Sequence, residues 1–298
     1  MSPFKDPPIL ITGATGFIGR QVCKKLIEHK SEFIGICRNP PSNANNLFKL
    51  DFLDKDLTRK FIEKTQPKIL IHLAWDVTHK QYWESDINLE YYKATVNLFD
   101  AFIEKGGTKI IVTGTCAEYS TSSNPLKEDE DYAEKISLYG QAKRLTLDYL
   151  RLLAIKNPNL DYAWLRIFGI YGPGEHPERL FPSILHCIKN NLEFTPKTPD
   201  IFSDYVHVED LAVFIVEIIQ LNNLGIINIG SELSISILDL YNTLKSYWQV
   251  GKFHIKKSIH TPNVNSRIPD CTKLKSHGLH YIFQDTLKNK VPRLLHQK

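Results

Sequence analysis

The sequence predicts an α/β protein: a doubly wound parallel sheet with a smaller, discontinuous second domain toward the C-terminus. Three observations carry this. Short runs rich in Ile and Val, apolar on both faces, recur through the first half of the chain, as buried parallel strands do. Longer stretches with apolar residues at helical spacing separate them. A turn punctuated by glycines joins the first run to the first helical stretch.

The elements follow in order. Ile9–Ile11 reads as a strand, and Phe17–Glu28 as a helix with Ile18, Val22 and Leu26 on one stripe. Phe33–Cys37 is the second strand, followed by a strand-like Phe48–Phe52. Ile69–Ala74 and Lys109–Val112 are further strands, separated by a helix at Ser85–Lys105. A helix at Tyr139–Lys156 leads to a strand at Tyr162–Phe168. Glu209–Leu221 is an apolar-faced helix whose two first-turn acids suit the helix dipole. After Phe168 the pattern loosens. Gly172-Pro173-Gly174 breaks the chain, and helical stretches near Arg179–Asn190 and Ile235–Trp248 alternate with Pro-containing loops. The expected division is residues 1–168, with 203–230 returning to them, as the doubly wound domain, and 169–202 with 231–298 as the smaller second domain. Lys288–Lys298 reads as a solvated basic tail.

With 298 residues, 42% hydrophobic and 23% charged, the chain can bury a sizeable core and is not a disordered sequence. A net charge of +4 without a clustered basic patch gives no reason to expect nucleic acid. The cysteine count, 5, is odd and no two are at CxxC spacing, so neither a disulfide framework nor a metal site is expected. The longest apolar run near a helix, Leu211–Val216, is far short of a membrane span, and Ile9–Ile11 is too short for a signal-peptide core. A soluble cytoplasmic protein without a membrane partner is expected.

The first strand runs into Thr12-Gly13-Ala14-Thr15-Gly16-Phe17-Ile18-Gly19. Glycines at i, i+3 and i+6 allow a tight turn, close approach of a pyrophosphate and close helix packing, and the helix N-terminus offers free N–H groups to the anion. Gly13, Thr15, Gly16, Phe17, Ile18 and Gly19 are therefore the first cofactor candidates. The second strand ends at Cys37-Arg38-Asn39, without the acid that usually grips the NAD ribose. Arg38 suits a 2′-phosphate, which favours NADP(H); an Arg38 that only stacks on adenine or faces solvent leaves NAD(H) open. Asp51-Phe52 could meet the adenine amino group or form a surface turn.

Tyr139 and Lys143 are four residues apart on one helix face, where a cation would lower the phenol's ordinary pKa of about 10. Thr115 follows a central strand at the edge where α/β sheets bind ligands, and its hydroxyl could share a proton with Tyr139. No Gly-x-Ser-x-Gly elbow is present, and Cys116 as a nucleophile would need a base of its own.

At these residues the chain resembles the extended short-chain dehydrogenases/reductases of the NAD-dependent epimerase/dehydratase family, which act on nucleotide sugars. The TGATGFIG turn, His72-Leu73-Ala74, Thr115 with Tyr139 and Lys143, the segment Arg166 to Gly174, Asp204 to Asp210, and Arg267 with Asp270 are similar to that family's motifs along nearly the whole chain. The resemblance implies a Rossmann-like fold and a nucleotide-diphosphate sugar as substrate. It implies Thr115, Tyr139 and Lys143 as catalytic residues, and cofactor contacts that include Leu73, Ala74, Trp75 and Thr113. Substrate contacts are implied at Thr115, Cys116, Ala117, Arg179, Arg267 and Asp270. Cys116 and Ala117 stand where 4,6-dehydratases carry an acidic pair, which argues against water elimination. Gly169 and Ser203 stand where UDP-galactose 4-epimerases carry Asn and Arg, which suggests another grip on the phosphates. The Thr115 and Tyr171–Leu180 segments are similar to a subgroup of 6-deoxysugar 4-ketoreductases. The expected activity is reduction of a nucleotide-linked 4-keto-6-deoxyhexose; a 4-epimerase with retained NAD and a non-catalytic dinucleotide sensor are the alternatives. Family members commonly dimerise through the two long helices, and Tyr91, Tyr92, Leu98, Phe99 and Phe102 offer more apolar surface than one face needs.

Overall fold

The computed structural model describes residues 8–130, 136–250, 266–283 and 287–291. The elements are β1 (Ile9–Thr12), α1 (Gly19–Glu28), β2 (Phe33–Cys37), β3 (Leu47–Lys49), α2 (Lys55–Thr65), β4 (Ile69–His72), α3 (Ile87–Glu104), β5 (Lys109–Thr115), α4 (Leu138–Lys156), β6 (Asp161–Ile167), β7 (Ile170–Tyr171), α5 (Leu180–Lys189), β8 (Phe202–Ser203), β9 (Val206–His207), α6 (Val208–Glu217), β10 (Gly225–Ile229), β11 (Ile235–Ser236), α7 (Ile237–Val250) and α8 (Thr272–Ser276).

Seven strands form one sheet in the order β10-β6-β5-β4-β1-β2-β3. β1 pairs in parallel with both β2 and β4, placing Thr12 opposite Ile36 on one side and His72 on the other. After β3 the chain returns to the far side of β1, so the strand order reverses there. In a doubly wound sheet that reversal opens a crevice at the strands' C-terminal ends, and this is where ligands bind. The architecture is Rossmann-like.

The chain divides into two compact units. One is Met1–Glu118, Lys135–Arg166 and Ala212–Ile227; the other is Tyr119–Glu134, Ile167–Leu211 and Asn228–Lys298. The first is built on Leu10, Ile34, Leu70, Ile110 and Val112 of the strands, packed by Phe99 and Phe102 of α3 and Leu147 and Leu150 of α4. The second is built on Tyr171, Phe181, Ile184, Leu240 and Leu244, with the Tyr171 and Phe181 rings stacked at 4.2 Å.

Several elements differ from the sequence reading for local reasons. The strand expected at Phe48–Phe52 is Leu47–Lys49, and the Phe52 ring turns into the core, edge-on to His72 at 5.6 Å and Tyr91 at 5.3 Å. β5 runs on through the polar Thr113 and Thr115, which apolar periodicity does not follow. Ile235–Ser236 pairs antiparallel with Phe202–Ser203, so the helix expected from Ile235 starts at Ile237. α2 and β10 had no expectation: α2 buries only Thr58, Ile62 and Thr65, and its start is marked by Asp54 capping the Leu57 amide at 3.0 Å.

One expectation is corrected. Tyr91, Leu98, Phe99 and Phe102 are buried in the chain's own core and are not spare surface. On α3 Leu89 is exposed, and on α4 Leu145, Leu152 and Ile155 are exposed. Among the described residues no helix is long and apolar enough to cross a membrane.

Candidate active site

The glycine turn follows β1 directly. Gly13 has φ +68°, and a Cβ there would come within 2.9 Å of the Ala74 amide nitrogen. A Cβ on Gly19 would meet the Gly13 carbonyl at 2.1 Å. Gly13 thus serves the tight turn and Gly19 the close packing of α1 on it, which are the first and third requirements of a dinucleotide turn, so the residues fit a dinucleotide. Thr15, Gly16, Phe17 and Ile18 complete the turn before α1.

His72 locks this turn to the next strand. The Thr95 hydroxyl donates to the Tyr91 carbonyl at 2.7 Å, so its oxygen is left to accept from His72 Nε2–H at 3.0 Å. His72 Nδ1 then accepts from the Thr12 hydroxyl at 2.8 Å, and the Thr12 oxygen in turn accepts the amides of Leu73 and Ala74 at 3.2 and 3.1 Å. Burial brings the His72 pKa down to about 3, so the ring is neutral, as this chain of bonds requires. The His-Leu-Ala motif is thereby explained: it sets the Leu73–Ala74 backbone beside Gly13.

Arg38 lies exposed at the end of β2, and its charge acts on the Tyr91 phenol, as do those of Asp76 and Asp51. The Asp51 carboxylate accepts the Leu53 amide at 3.1 Å, so it forms a turn. The Phe52 side chain is core, which leaves only its backbone to meet a cofactor.

Thr115, Tyr139 and Lys143 come together in the first unit. Ser137 accepts the Gly140 amide at 3.2 Å and starts α4, which presents Tyr139 and Lys143 on one face. The Thr115 oxygen accepts the Ala117 amide at 3.1 Å and hydrogen-bonds the Tyr139 phenol. The Thr115 oxygen has a second lone pair and its own hydrogen, so Thr115 and the Tyr139 phenol can share a proton in either sense.

The expected effect of Lys143 on Tyr139 is corrected. Burial pushes the phenol above its ordinary value and the Thr115 bond only partly offsets this; Tyr82, Glu118 and Cys116 raise it further. Lys143 instead donates to the Thr113 carbonyl at 2.9 Å and lies 3.9 Å from the centre of the Trp75 ring. Burial brings its own pKa down to about 7, against the charge of Glu118. At neutral pH Tyr139 is therefore a protonated donor.

Arg179, Arg267 and Asp270 belong to the second unit. Arg267 bridges Ser203, and its Nε is buried without a hydrogen-bond partner. Arg179 precedes α5, and its charge acts on Glu175, whose pKa burial raises to about 7. Asp270 is held low by hydrogen bonds from the Thr272 hydroxyl and from the Thr272 amide, the latter at 2.8 Å, at the start of α8. At Gly169 a Cβ would sit 2.4 Å from the Asp204 carbonyl, so the Asn of the epimerases has no room here. Glu232, Cys271 and His280 bring metal-type ligand atoms within 4.8 Å of one another, but Lys275 already pairs with Glu232 at 2.5 Å.

Sequence reasoning missed the walls around Tyr139. Tyr82 and Trp83 lie at 4.9 and 5.8 Å, nearly perpendicular to its ring, and the Trp83 carbonyl accepts the Tyr139 amide at 3.0 Å. The available signal was an adjacent aromatic pair in a segment otherwise rich in loop residues.

The dTDP-4-dehydro-6-deoxyglucose reductase of Escherichia coli is 29% identical over 261 residues, covering 80% of each chain. The UDP-glucose 4-epimerase of Bacillus subtilis is 26% identical over 273 residues, covering 78% of this chain and 79% of that one. The solved UDP-glucose 4-epimerase of Thermotoga maritima, in complex with UDP-glucose, superposes with a TM-score of 0.78 at 23% identity, covering 96% of this chain and 98% of the other. The family model described as "NAD dependent epimerase/dehydratase family" matches residues 9–230, from β1 to the end of the sheet. On that match, with the glycine turn at Gly13 and Gly19 behind it, the chain belongs to the NAD-dependent epimerase/dehydratase family.

Proposed function

We propose that this chain reduces the ketone of a nucleotide-linked 4-keto-6-deoxyhexose. The observation that carries this reading is a buried Tyr139, hydrogen-bonded to Thr115, whose burial keeps the phenol protonated. A buried neutral phenol is ready to protonate an alkoxide, whereas oxidation of an alcohol would first require a base. Similarity to a dTDP-4-dehydro-6-deoxyglucose reductase supports the same reading.

A nicotinamide dinucleotide supplies the hydride when bound. The Gly13–Gly19 turn would hold the pyrophosphate and Lys143 the nicotinamide ribose. Tyr139 gives its proton to the new alkoxide, and Thr115 orients the oxygen. Tyr82, Trp83 and Trp75 exclude water from the proton-transfer site. Arg267 and Arg179 would meet the diphosphate; the unpartnered Arg267 Nε supports that role. A soluble cytoplasmic location is part of this reading.

NADPH is the proposed reductant because Arg38 is exposed where a 2′-phosphate would lie. Charge-assisted hydrogen bonds contribute about 1.5–3 kcal/mol each, so Arg38→Ala should weaken NADPH binding about 10²-fold and leave NADH nearly unchanged. Fluorescence titration of the two cofactors checks this; equal losses would mean adenine stacking.

The chain is also proposed to form a homodimer across α4, where Leu145, Leu152 and Ile155 are exposed. Light scattering should give twice the chain mass at micromolar concentration, and Leu152→Glu/Ile155→Glu should give a monomer. A wild-type monomer would refute it.

The substrate reading is tested by mixing purified protein, NADPH and a nucleotide-linked 4-keto-6-deoxyhexose. Loss of NADPH absorbance supports it. Protein that carries tightly held NAD and interconverts UDP-hexoses without consuming cofactor would replace it with the epimerase.

A further inference from the structure

Glu118 lies in the turn after β5, and its side chain is 0% exposed. Such a carboxylate is tolerated only when paired and hydrogen-bonded. Three groups supply this. The Thr115 amide donates to Oε1 at 2.8 Å. Trp164 Nε1 lies 3.0 Å from Oε1 and 3.2 Å from Oε2. Arg166 Nε donates to Oε2 at 2.8 Å, and Arg166 is itself buried. Trp164 and Arg166 belong to β6, the strand beside β5, so the carboxylate anchors the end of β5 on the sheet itself.

The residue it holds carries the hydroxyl that bonds Tyr139. Besides its bond to Tyr139, Thr115 is held twice by this one short turn: its amide goes to Glu118, and its oxygen takes the Ala117 amide. The place of the Thr115 hydroxyl beside Tyr139 is therefore set by the backbone of 115–118. A misplacement of about 1 Å at a reacting group can cost about 10²-fold in rate.

We propose that Glu118 is a positioning residue, whose carboxylate, anchored on Arg166 and Trp164, fixes the Thr115 amide and thereby aims the Thr115 hydroxyl at Tyr139. It touches no reacting atom. The inference rests on the reading of Tyr139 as the proton donor. A second consequence concerns Lys143, which faces the Thr113 carbonyl, the Trp75 ring, the neutral His72 of β4, Tyr139 on its own helix and the charge of Glu118. That charge favours the ammonium, so its loss moves the titration of Lys143 to lower pH.

The test compares wild type with Glu118→Gln and with Glu118→Gln/Arg166→Gln; the double variant leaves no orphaned buried cation. Gln keeps the size but offers one acceptor oxygen to three donors. Expected for both variants is a kcat about 10- to 100-fold lower, with KM and cofactor Kd changed less than about 3-fold. The high-pH limb of kcat should move to lower pH, and amide exchange of Thr113–Glu118 should be at least about tenfold faster by mass spectrometry. A purely structural ion pair would leave kcat unchanged once both charges are gone, whereas the limb follows the lost charge of Glu118 in either case. Wild-type kcat in the double variant, or unchanged exchange in the variant that folds, overturns the proposal. If the wild type reduces no 4-keto sugar, the exchange result still decides: faster exchange supports the role of Glu118 while the substrate reading alone fails.

Discussion

Tyr139→Phe should lower turnover by about 10²–10⁴-fold, the usual contribution of general acid–base catalysis. The ring sits at 8% exposure among Tyr82, Trp83 and Trp75, and Phe preserves those contacts. Only the proton and the bond to Thr115 are removed. Cofactor affinity should therefore change less than about 3-fold, since Lys143 and the Gly13–Gly19 turn are untouched. Steady-state rates and fluorescence titration on the same preparation separate the two effects. A variant with more than half the wild-type rate would remove Tyr139 from the chemistry.

Lys143→Met should damage both quantities. The ammonium makes a charge-assisted bond to the Thr113 carbonyl and is placed to hold a ribose. Losing such a bond costs about 1.5–3 kcal/mol, so cofactor binding should weaken about 10- to 100-fold and kcat should fall with it. The wild-type enzyme should also show a pH limb that the variant lacks. The ammonium is the acid form and its pKa is about 7, lowered by burial. Function that needs the charge is complete below that value and declines about tenfold per pH unit above it. A wild-type rate that stays flat between pH 6 and 9, values set on either side of about 7, would contradict a catalytic ammonium in this environment.

What the sequence disclosed was local. Gly13 to Gly19 lie within one turn, Tyr139 and Lys143 within one turn of helix, and Thr115 at the end of a visible strand, so short-range spacing was enough to find them. The ion pair of Glu118 with Arg166, 48 residues apart, depends on which strands become neighbours, and no periodicity encodes that. The aromatic walls at Tyr82 and Trp83 sit in a connection between β4 and α3, outside any repeating pattern. The α3 aromatics were misjudged for the opposite reason: a helix covered by the sheet on one side and by α2 and α4 on others buries more than one stripe. The pKa of Tyr139 was anticipated in the wrong direction because a Tyr–Lys spacing says nothing of desolvation, the largest cause here.

The proposed reaction delivers hydride to C4 of a 4-keto sugar and the Tyr139 proton to its oxygen. It is tested most directly with NADPH carrying deuterium at the transferable position, mixed with a nucleotide-linked 4-keto-6-deoxyhexose, followed by mass spectrometry and proton NMR of the sugar. The account predicts a single deuterium at C4 of a single stereoisomer, one oxidised cofactor per product, and loss of labelling in Tyr139→Phe. Recovery of the 4-keto sugar without label and without cofactor consumption would contradict it.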